Sequence, residues 1–285
     1  MIVVLVAFSV ILVAIYMLSA RKYAAIVNSL DNKLYPFRNI LPIGLYLLDT
    51  FKYSFNTTYD RRLHAAITEL HGSGQTVLLL RVHWGGKISL MLLSLLFTFF
   101  IGTFSTPDAG YYIFCILLPF VIAYCCDRDL FEKVKKRRLA IQLDFPDFVN
   151  KLTLLINAGM TVSKAWEKTS SNNRQTPLYM ELGSTLQNIR SGMAEHKAYE
   201  EFAKQCHVPI ITRFISVILQ NIRKGNAELV PILRVFANEC WELRKNTAKR
   251  YGEEASTKML LPMLLMFVAI LLIVGMPAVL ALKGI

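Results

Sequence analysis

Four long stretches of the sequence lack any Asp, Glu, Lys, Arg or His: Met1–Ala20, Ile88–Pro107, Ala109–Cys126 and Met259–Leu282. Each has the roughly 17–25 residues that an apolar helix needs to cross a bilayer. The absence of charge therefore predicts four transmembrane helices in an all-α integral membrane protein. We expect the first to be an uncleaved anchor, since a signal peptide carries positive charge before its apolar run, whereas here Arg21 and Lys22 follow it.

The sequence motifs of catalysis and metal binding are also missing. The histidines show no HExxH spacing, no GxSxG occurs, and the five cysteines form no CxxC pair. Gly86-Lys87 does not complete a P-loop, because Arg81 and Ile88 occupy the positions where that motif needs Gly and a hydroxyl residue. We therefore predict no enzyme activity, no catalytic residue, no cofactor and no metal. The uncharged spans also disfavour an ion pathway.

Positive charge is concentrated in the two long segments between the spans. The formal net charge is +12; Arg21–Lys87 has nine basic and four acidic residues, and Asp127–Lys258 has 22 basic and 15 acidic. Because basic loops tend to remain in the cytoplasm, both segments are predicted to be cytoplasmic, with both termini outside. The basic run Lys135–Arg138 is interpreted as a topology signal that contacts anionic lipids rather than nucleic acid.

Three glycines recur at a spacing of 33 residues, at Gly159, Gly192 and Gly225. Each follows a helical pattern of apolar residues and can adopt positive φ, so each is predicted to form the corner of a helix–turn–helix pair. Helix starts are predicted at Asp144-Pro146, near Thr161, at Thr176-Pro177 and at Val208-Pro209. Three pairs give a six-helix bundle around one apolar core. The signature residues of tetratricopeptide and ankyrin repeats are missing, which favours a bundle over a solenoid.

The sixth helix of this bundle is predicted to continue into the last span. From Ala227 to the start of the last span we find no strong break beyond Pro231 and Gly252. Continued to Leu282, the helix would be roughly 84 Å long at 1.5 Å per residue. Inward-facing residues are expected at Leu229, Ile232, Leu233 and Phe236, with Trp241 as the main anchor of a thin apolar stripe. We hypothesise a stalk that connects the bundle rigidly to the membrane.

The first cytoplasmic segment is predicted to be an adaptor. Tyr35–Tyr53 is apolar but interrupted by prolines and a glycine, which is consistent with an element lying in the membrane interface. Thr58–Leu70 predicts one short helix that ends at Gly72. Trp84 precedes the second span, at a position typical of an aromatic belt.

The predicted organisation follows from these features. A transmembrane helix covers residues 1–20, the adaptor 21–87, a transmembrane hairpin 88–126, a basic juxtamembrane segment 127–143, the six-helix domain with its stalk 144–258, and the last span 259–282.

The run DFPDFVNKLTLLINAGMTVSKAWEK, from Asp144, resembles the opening of the type II secretion F domain. The phrases IRSGMAEHKAYEEFA and IRKGNAELVPILRVFA resemble later helix corners of that domain, and the family's cytoplasmic domain is a six-helix bundle. The closing stretch EEASTKMLLPMLLMFVAILLIVGMPAVL is similar to the end of tight-adherence (Tad, Flp) pilus platform proteins of the TadC kind. Many secretion F proteins carry two copies of the domain, whereas this chain has room for one, which favours the Tad branch.

The resemblance implies a non-enzymatic platform protein in a bacterial inner membrane, at the base of a pilus or secretion machine. It also implies three kinds of partner, namely a cytoplasmic ATPase, pilin subunits and a sister platform protein, as well as a homo- or hetero-oligomer. Arg190, Arg223 and Lys224, at the helix corners, are candidate contacts for the ATPase, although basic residues there also stabilise helix C-termini. The alternatives are a small-molecule transporter or channel subunit, and a membrane receptor with a helical signalling domain.

Overall fold

The computed structural model describes residues 2–29, 37–72, 74–103, 108–170, 175–222 and 226–282. In these ranges the protein is helical without strands. The chain divides into two compact units, Met1–Arg138 and Leu139–Ile285. The helices are α1 Ile2–Ser29, α2 Leu41–Thr50, α3 Thr58–His71, α4 Thr76–Ile101, α5 Ala109–Asn157, α6 Val162–Ser170, α7 Pro177–Arg190, α8 Glu195–Cys206, α9 Pro209–Ile222 and α10 Asn226–Leu282.

Four of the described helices, α1, α4, α5 and α10, are long and apolar enough to cross a membrane. The prediction of an all-helical chain with four candidate membrane spans is therefore confirmed. All four of these helices extend beyond the uncharged stretches: α5 continues to Asn157 and α10 begins at Asn226. In the first unit, α1 continues to Ser29 and α4 already begins at Thr76, so the extensions of these two helices lie in the segment that the sequence assigned to the adaptor.

In the first unit, α2 packs closely between α1 and α4 around a shared apolar core. A Cβ atom at Gly44 would lie only 1.9 Å from the carbonyl oxygen of Gly85, so the backbones of α2 and α4 are in direct contact. The Ser89 hydroxyl accepts the Gly44 N–H at 2.9 Å and donates to the Gly85 carbonyl at 2.8 Å. Gly44 thus serves helix packing, whereas the position of α2 relative to lipid stays a prediction.

The short helix predicted at Thr58–Leu70 is confirmed as α3. Its N-terminus has a capping box in which Thr57 and Asp60 bond each other's backbone N–H groups. Its C-terminus is followed by Gly72 at φ +79°, a conformation that glycine adopts without the steric cost of a Cβ atom. Local capping signals therefore set both ends of this helix.

In the second unit, one apolar core is formed by side chains from α5 to α10. Trp166 on α6 is fully buried at its centre. Its ring meets Phe148 of α5 edge-on at 5.0 Å between centroids and Phe202 of α8 edge-on at 5.2 Å. Such edge-to-face pairs are a favoured arrangement of aromatic rings. The placement of this core in the cytoplasm stays a prediction.

Two of the three glycines predicted to form corners lie at positive φ just after the end of a helix, and the third lies outside the described residues. Gly159 has φ +90° and Gly192 has φ +94°. At both corners the N–H of the residue after the glycine donates to the carbonyl five residues earlier, Met160 to Leu155 at 3.1 Å and Met193 to Asn188 at 3.0 Å. This is the hydrogen bond of the Schellman motif, which ends a helix with a residue at positive φ. Gly225 falls in the gap between the ranges that the structure describes.

The other predicted helix starts in this unit are confirmed, with one exception. α6, α7 and α9 begin at Val162, Pro177 and Pro209. The predicted start at Asp144-Pro146 is wrong, because α5 runs without interruption through both residues.

The physical reason for the continuity of α5 is burial on both sides of the proline. A proline inside a helix removes a hydrogen bond and costs about 3 kcal/mol. Ile141, Phe145 and Phe148 are each at most 1% exposed, so the core-facing pattern starts before Pro146 and continues after it. Fully burying a large apolar side chain contributes about 1.5–3 kcal/mol, and three such side chains outweigh one proline.

The predicted continuity of the last helix is confirmed, because α10 runs for 57 residues from Asn226 to Leu282. At 1.5 Å per residue its length is about 86 Å. Two expected core positions are wrong: Ile232 is 39% exposed and Trp241 is 51% exposed. The buried apolar stripe consists of Leu229, Leu233, Phe236, Ala237 and Cys240. Each misassigned residue lies next to a stripe residue in sequence, and one residue rotates a side chain by about 100° around a helix.

Candidate functional site

The second unit brings two of the glycine corners side by side. The Ser163 hydroxyl, in the first turn of α6, donates to Glu195 in the first turn of α8 at 2.7 Å. These turns directly follow the corners at Gly159 and Gly192. One end of the helical core therefore presents two adjacent corners.

Arg190, one of the three residues predicted to contact an ATPase, lies at this end of the core. Its side chain is 70% exposed and its guanidinium pairs with Glu167 of α6 at 2.5 Å. An exposed ion pair of this kind contributes about 0–1 kcal/mol, so Arg190 can exchange Glu167 for another carboxylate at little cost. The other two predicted residues, Arg223 and Lys224, lie outside the described residues.

The first unit contains a polar network that the sequence analysis missed. The Asp127 carboxylate of α5 is 2.6 Å from the Lys87 ammonium and 3.1 Å from the His83 ring nitrogen, both of α4. The side chains of all three residues are at most 16% exposed. Lys87 also donates to the Tyr59 hydroxyl of α3 at 2.8 Å and lies 4.9 Å from the centre of the Trp84 ring. The network therefore joins α3, α4 and α5 where the uncharged stretches of α4 and α5 begin and end, at Ile88 and Cys126.

A second carboxylate extends this network into the loop before α3. Asp60 is 1% exposed and accepts hydrogen bonds from the Trp84 indole at 2.9 Å and the Tyr53 hydroxyl at 3.0 Å, as well as from Thr57. Burial by itself would raise the pKa of Asp60, but the hydrogen bonds from Thr57, Tyr53 and Trp84 outweigh it and leave the pKa below its usual value. Burial and the nearby Asp127 carboxylate raise the pKa of Tyr59 above its usual value, so its phenol stays protonated at neutral pH.

Each charge in this network has a partner of opposite sign or a hydrogen-bond donor, so the arrangement is suited to holding helices together. Buried charges that are paired and hydrogen-bonded fix one geometry, and removing one partner is costly. Within the described ranges, no group of three His, Cys, Asp or Glu residues is placed to hold a metal ion. One signal for the network was present in the sequence: Lys87 and Asp127 stand immediately beside uncharged stretches, and His83 precedes Lys87 by four residues.

Arg138, the last residue of the basic run, pairs with a carboxylate of another helix, whereas the run was predicted to contact anionic lipids. Arg138 binds Glu69 of α3 through two parallel hydrogen bonds, at 2.6 and 2.7 Å, and the Glu69 side chain is only 2% exposed. Arg138 therefore anchors α3 to α5. Lys135 and Lys136 are exposed, and their predicted contact with anionic lipids stays a prediction.

Comparison with known proteins bears on the second unit. Residues 148–277 match the family model described as Type II secretion system (T2SS), protein F. The match begins at Phe148 in the buried part of α5 and ends in the apolar part of α10. It supports the predicted assignment to the type II secretion F family, whose members are membrane platform proteins of secretion and pilus systems. Searches of curated proteins and of solved structures found no significant match.

Proposed function

We propose that this chain is a non-enzymatic platform protein of a Tad-type (Flp) pilus or a related secretion machine in a bacterial inner membrane. In this role it couples a cytoplasmic ATPase to the assembly of pilin subunits. The observation that carries the proposal is the continuity of α10, which extends from the core of the family-matched unit into an uncharged apolar stretch. A movement imposed on that core is thereby passed to a candidate membrane span.

The two ends of α10 differ in the way that this role requires. Near its start, Leu229 and Leu233 are fully buried and Phe236 is 3% exposed, so the helix is fixed to the core. Beyond Lys258 its apolar side chains are exposed up to Pro277, which suits contact with lipid or other membrane helices. Between these parts, pairs such as Arg250–Glu254, at 3.8 Å, link successive turns. Pairs of this type stabilise a helix by about 0.2–0.5 kcal/mol each.

The proposed partners of the family-matched unit are the ATPase and a sister platform protein, and the spans are proposed to contact pilin subunits and lipids. Arg190 remains our proposed contact for the ATPase at the glycine-corner end, together with Arg223 and Lys224. Its exposure and its weak pairing with Glu167 support this role. The complex is proposed to be a homo- or hetero-oligomer, with both termini outside and the two large segments in the cytoplasm.

The two alternative functions are a transporter or channel subunit and a membrane receptor. Within α4 and α5, the charged network of the first unit lies next to the uncharged stretches and not inside them, and Asp127 is already neutralised by Lys87, which disfavours a substrate site. A receptor would leave fibre assembly intact when the chain is removed, so a genetic experiment separates it from the platform.

The test is deletion of the gene for this chain in its source bacterium, with complementation by the wild-type chain. We expect loss of surface fibres or secreted substrate, with the pilins and the ATPase still produced at normal levels. Normal assembly in the deletion strain would contradict the proposal.

A charge-exchange series in the complemented strain tests the contact at Arg190. Arg190→Glu removes the positive charge, and adding Glu167→Arg restores the intramolecular pair with reversed polarity. If Arg190 contacts the ATPase, the double variant folds normally but still fails to recruit the ATPase. Recovery of recruitment in the double variant would show that only the internal pair matters.

A further inference from the structure

One face of the second unit, where α5 and α10 lie side by side, carries exposed apolar side chains among basic ones. Two polar contacts define the alignment. Arg234 donates to Asn157 at 3.2 Å, and Arg244 is 3.1 Å from the Asp147 carboxylate. Moving ten residues forward on α10 thus corresponds to moving ten residues back on α5, so the helices are antiparallel here. We call the surface between these contacts the α5–α10 face; it consists of Leu154, Arg234, Trp241, Arg244 and Lys245.

The α5–α10 face exposes an aromatic side chain that is nevertheless held in place. Trp241 is 51% exposed and Leu154 is 68% exposed. The guanidinium of Arg244 lies 5.5 Å from the centre of the Trp241 ring, and Asp147 holds Arg244 from the other side. A tryptophan held in this way loses little side-chain conformational entropy when it binds a partner. Trp and Arg are among the residues most enriched at the hot spots of protein interfaces.

Distance along α10 rules out a lipid surface as the occupant of this face. Trp241 precedes Met259, where the uncharged stretch begins, by 18 residues, which is about 27 Å of helix. Even at the largest common tilt of about 40°, Trp241 would stand roughly 20 Å from the start of the span. The polar layer of a bilayer adds only about 5–8 Å on each side of the hydrocarbon.

The charge of the face selects among protein partners. Arg234, Arg244 and Lys245 are positive, and Asp147 is the acidic residue paired within the face. Two copies of this face would repel each other, because like charges would be brought together as the apolar side chains met. The complementary partner is an acidic protein surface with an apolar recess for the indole.

We propose that the α5–α10 face docks on an acidic surface of the cytoplasmic ATPase, with Trp241 inserted as the apolar anchor and Lys245 and the arginines as the basic rim. This inference rests on the proposed function for the identity of the partner. The face is distinct from the contact at Arg190, since it is built from α5 and α10 and not from the corner between α7 and α8.

Binding of the purified full-length chain in detergent to the purified ATPase tests the proposal. Trp241→Ala is expected to raise the Kd at least about tenfold, with no change in thermal stability because the side chain lies outside the core. Lys245→Glu is expected to slow association and to flatten its dependence on salt. The matched control is Val235→Ala, which alters a 70% exposed side chain of the same helix outside this face and should change the Kd less than about threefold.

A second measurement places the photoreactive residue benzoylphenylalanine at position 241 in living cells. A crosslink to the ATPase supports the inference. A crosslink to a second copy of this chain, or no protein crosslink, overturns it, and so does an unchanged Kd for Trp241→Ala. These failures leave the proposed function standing if the deletion strain still loses its fibres, whereas normal fibres in that strain overturn the proposed function itself.

Discussion

At the scale of single residues, the contact between α2 and α4 depends on Gly44. A methyl group there would lie 1.9 Å from the Gly85 carbonyl oxygen and 2.7 Å from the Ser89 hydroxyl. We predict that Gly44→Ala lowers the free energy of unfolding by at least about 1–3 kcal/mol, the usual cost of overpacking. Thermal unfolding of the full chain in detergent measures the change.

The control for Gly44→Ala is Gly86→Ala on the opposing helix. A methyl group at Gly86 would lie 3.7 Å from Leu41, an ordinary van der Waals contact, and alanine favours helix more than glycine does. Gly86→Ala should therefore leave the unfolding temperature unchanged or raise it. Equal stability losses in the two variants would refute the assignment of a backbone contact to Gly44.

Substitutions at a second pair of glycines, Gly192 and Gly183, distinguish the effect of backbone conformation on stability from the effect of packing. Gly192 has φ +94°, whereas Gly183 lies within α7 with open space around it. We predict that Gly192→Ala destabilises the second unit by about 1–2 kcal/mol, because an L-residue is strained at positive φ. Gly183→Ala should stabilise it by about 0.5–1 kcal/mol. Opposite shifts of the denaturant midpoint would confirm the corner, and shifts of the same sign would contradict it.

At the scale of elements, the exposed middle of α10 is the part most open to a direct test. Gly252 lies in this helix with nothing packed around it. Gly252→Pro would remove a helical hydrogen bond and clash with the preceding turn, at a cost of about 3 kcal/mol, whereas Gly252→Ala should stiffen the helix. We predict that trypsin cuts at Lys249 and Arg250 faster in the proline variant and more slowly in the alanine variant than in the wild-type chain.

The same pair of variants connects α10 to function. If the helix transmits motion to the membrane, Gly252→Pro should abolish fibre assembly while the chain remains inserted in the membrane, and Gly252→Ala should retain assembly. Wild-type protein that trypsin cuts as readily as the proline variant would argue against a stiff stalk.

Helices whose ends carry local signals could be predicted from the sequence. α7 and α9 begin at Pro177 and Pro209, and α3 and α7 are followed by glycines at positive φ. The same signal failed at Pro146, because a proline that suits a first turn is also tolerated inside a helix when burial on both sides outweighs its cost. Local sequence cannot distinguish these cases, since the deciding contacts of Phe145 with Phe214 come from a distant helix.

The polar contacts between helices were not predictable for a related reason. Lys87 and Asp127 are 40 residues apart, Arg138 and Glu69 are 69 apart, and Arg244 and Asp147 are 97 apart. No local pattern indicates which carboxylate an arginine on a distant helix will meet. The exposure of Trp241 was not predicted because Trp241 directly follows the buried Cys240 in the helix. An apolar stripe of few residues does not determine the buried face of a helix to within one residue.

At the scale of the whole molecule, charge and apolar character are separated along the chain. The four uncharged stretches lie in helices able to cross a membrane, and the basic residues lie between them. The family match covers residues 148–277 and so includes part of both kinds of segment. The proposed platform role requires such a division, because its proposed partners lie in the cytoplasm and in the membrane, so the side of the membrane on which each segment lies decides between the role being possible and impossible.

Cysteine labelling tests that sidedness directly. Cys115, Cys125 and Cys126 would be replaced by serine, and the buried Cys206 and Cys240 retained. A single reporter would then be introduced by Asp108→Cys, between the second and third spans, or by Glu200→Cys, on α8; both positions are exposed.

With a membrane-impermeant maleimide, we predict labelling of the Asp108→Cys chain in intact spheroplasts and of the Glu200→Cys chain only after lysis. The physical reason is that the basic segment carrying Glu200 stays on the cytoplasmic side, whereas Asp108 lies in a short connection with no basic residue. Labelling of the Glu200→Cys chain in intact spheroplasts would place the family-matched unit outside the cell. An ATPase in the cytoplasm could not reach it there, so that result would remove both the proposed coupling and the docking role of the α5–α10 face.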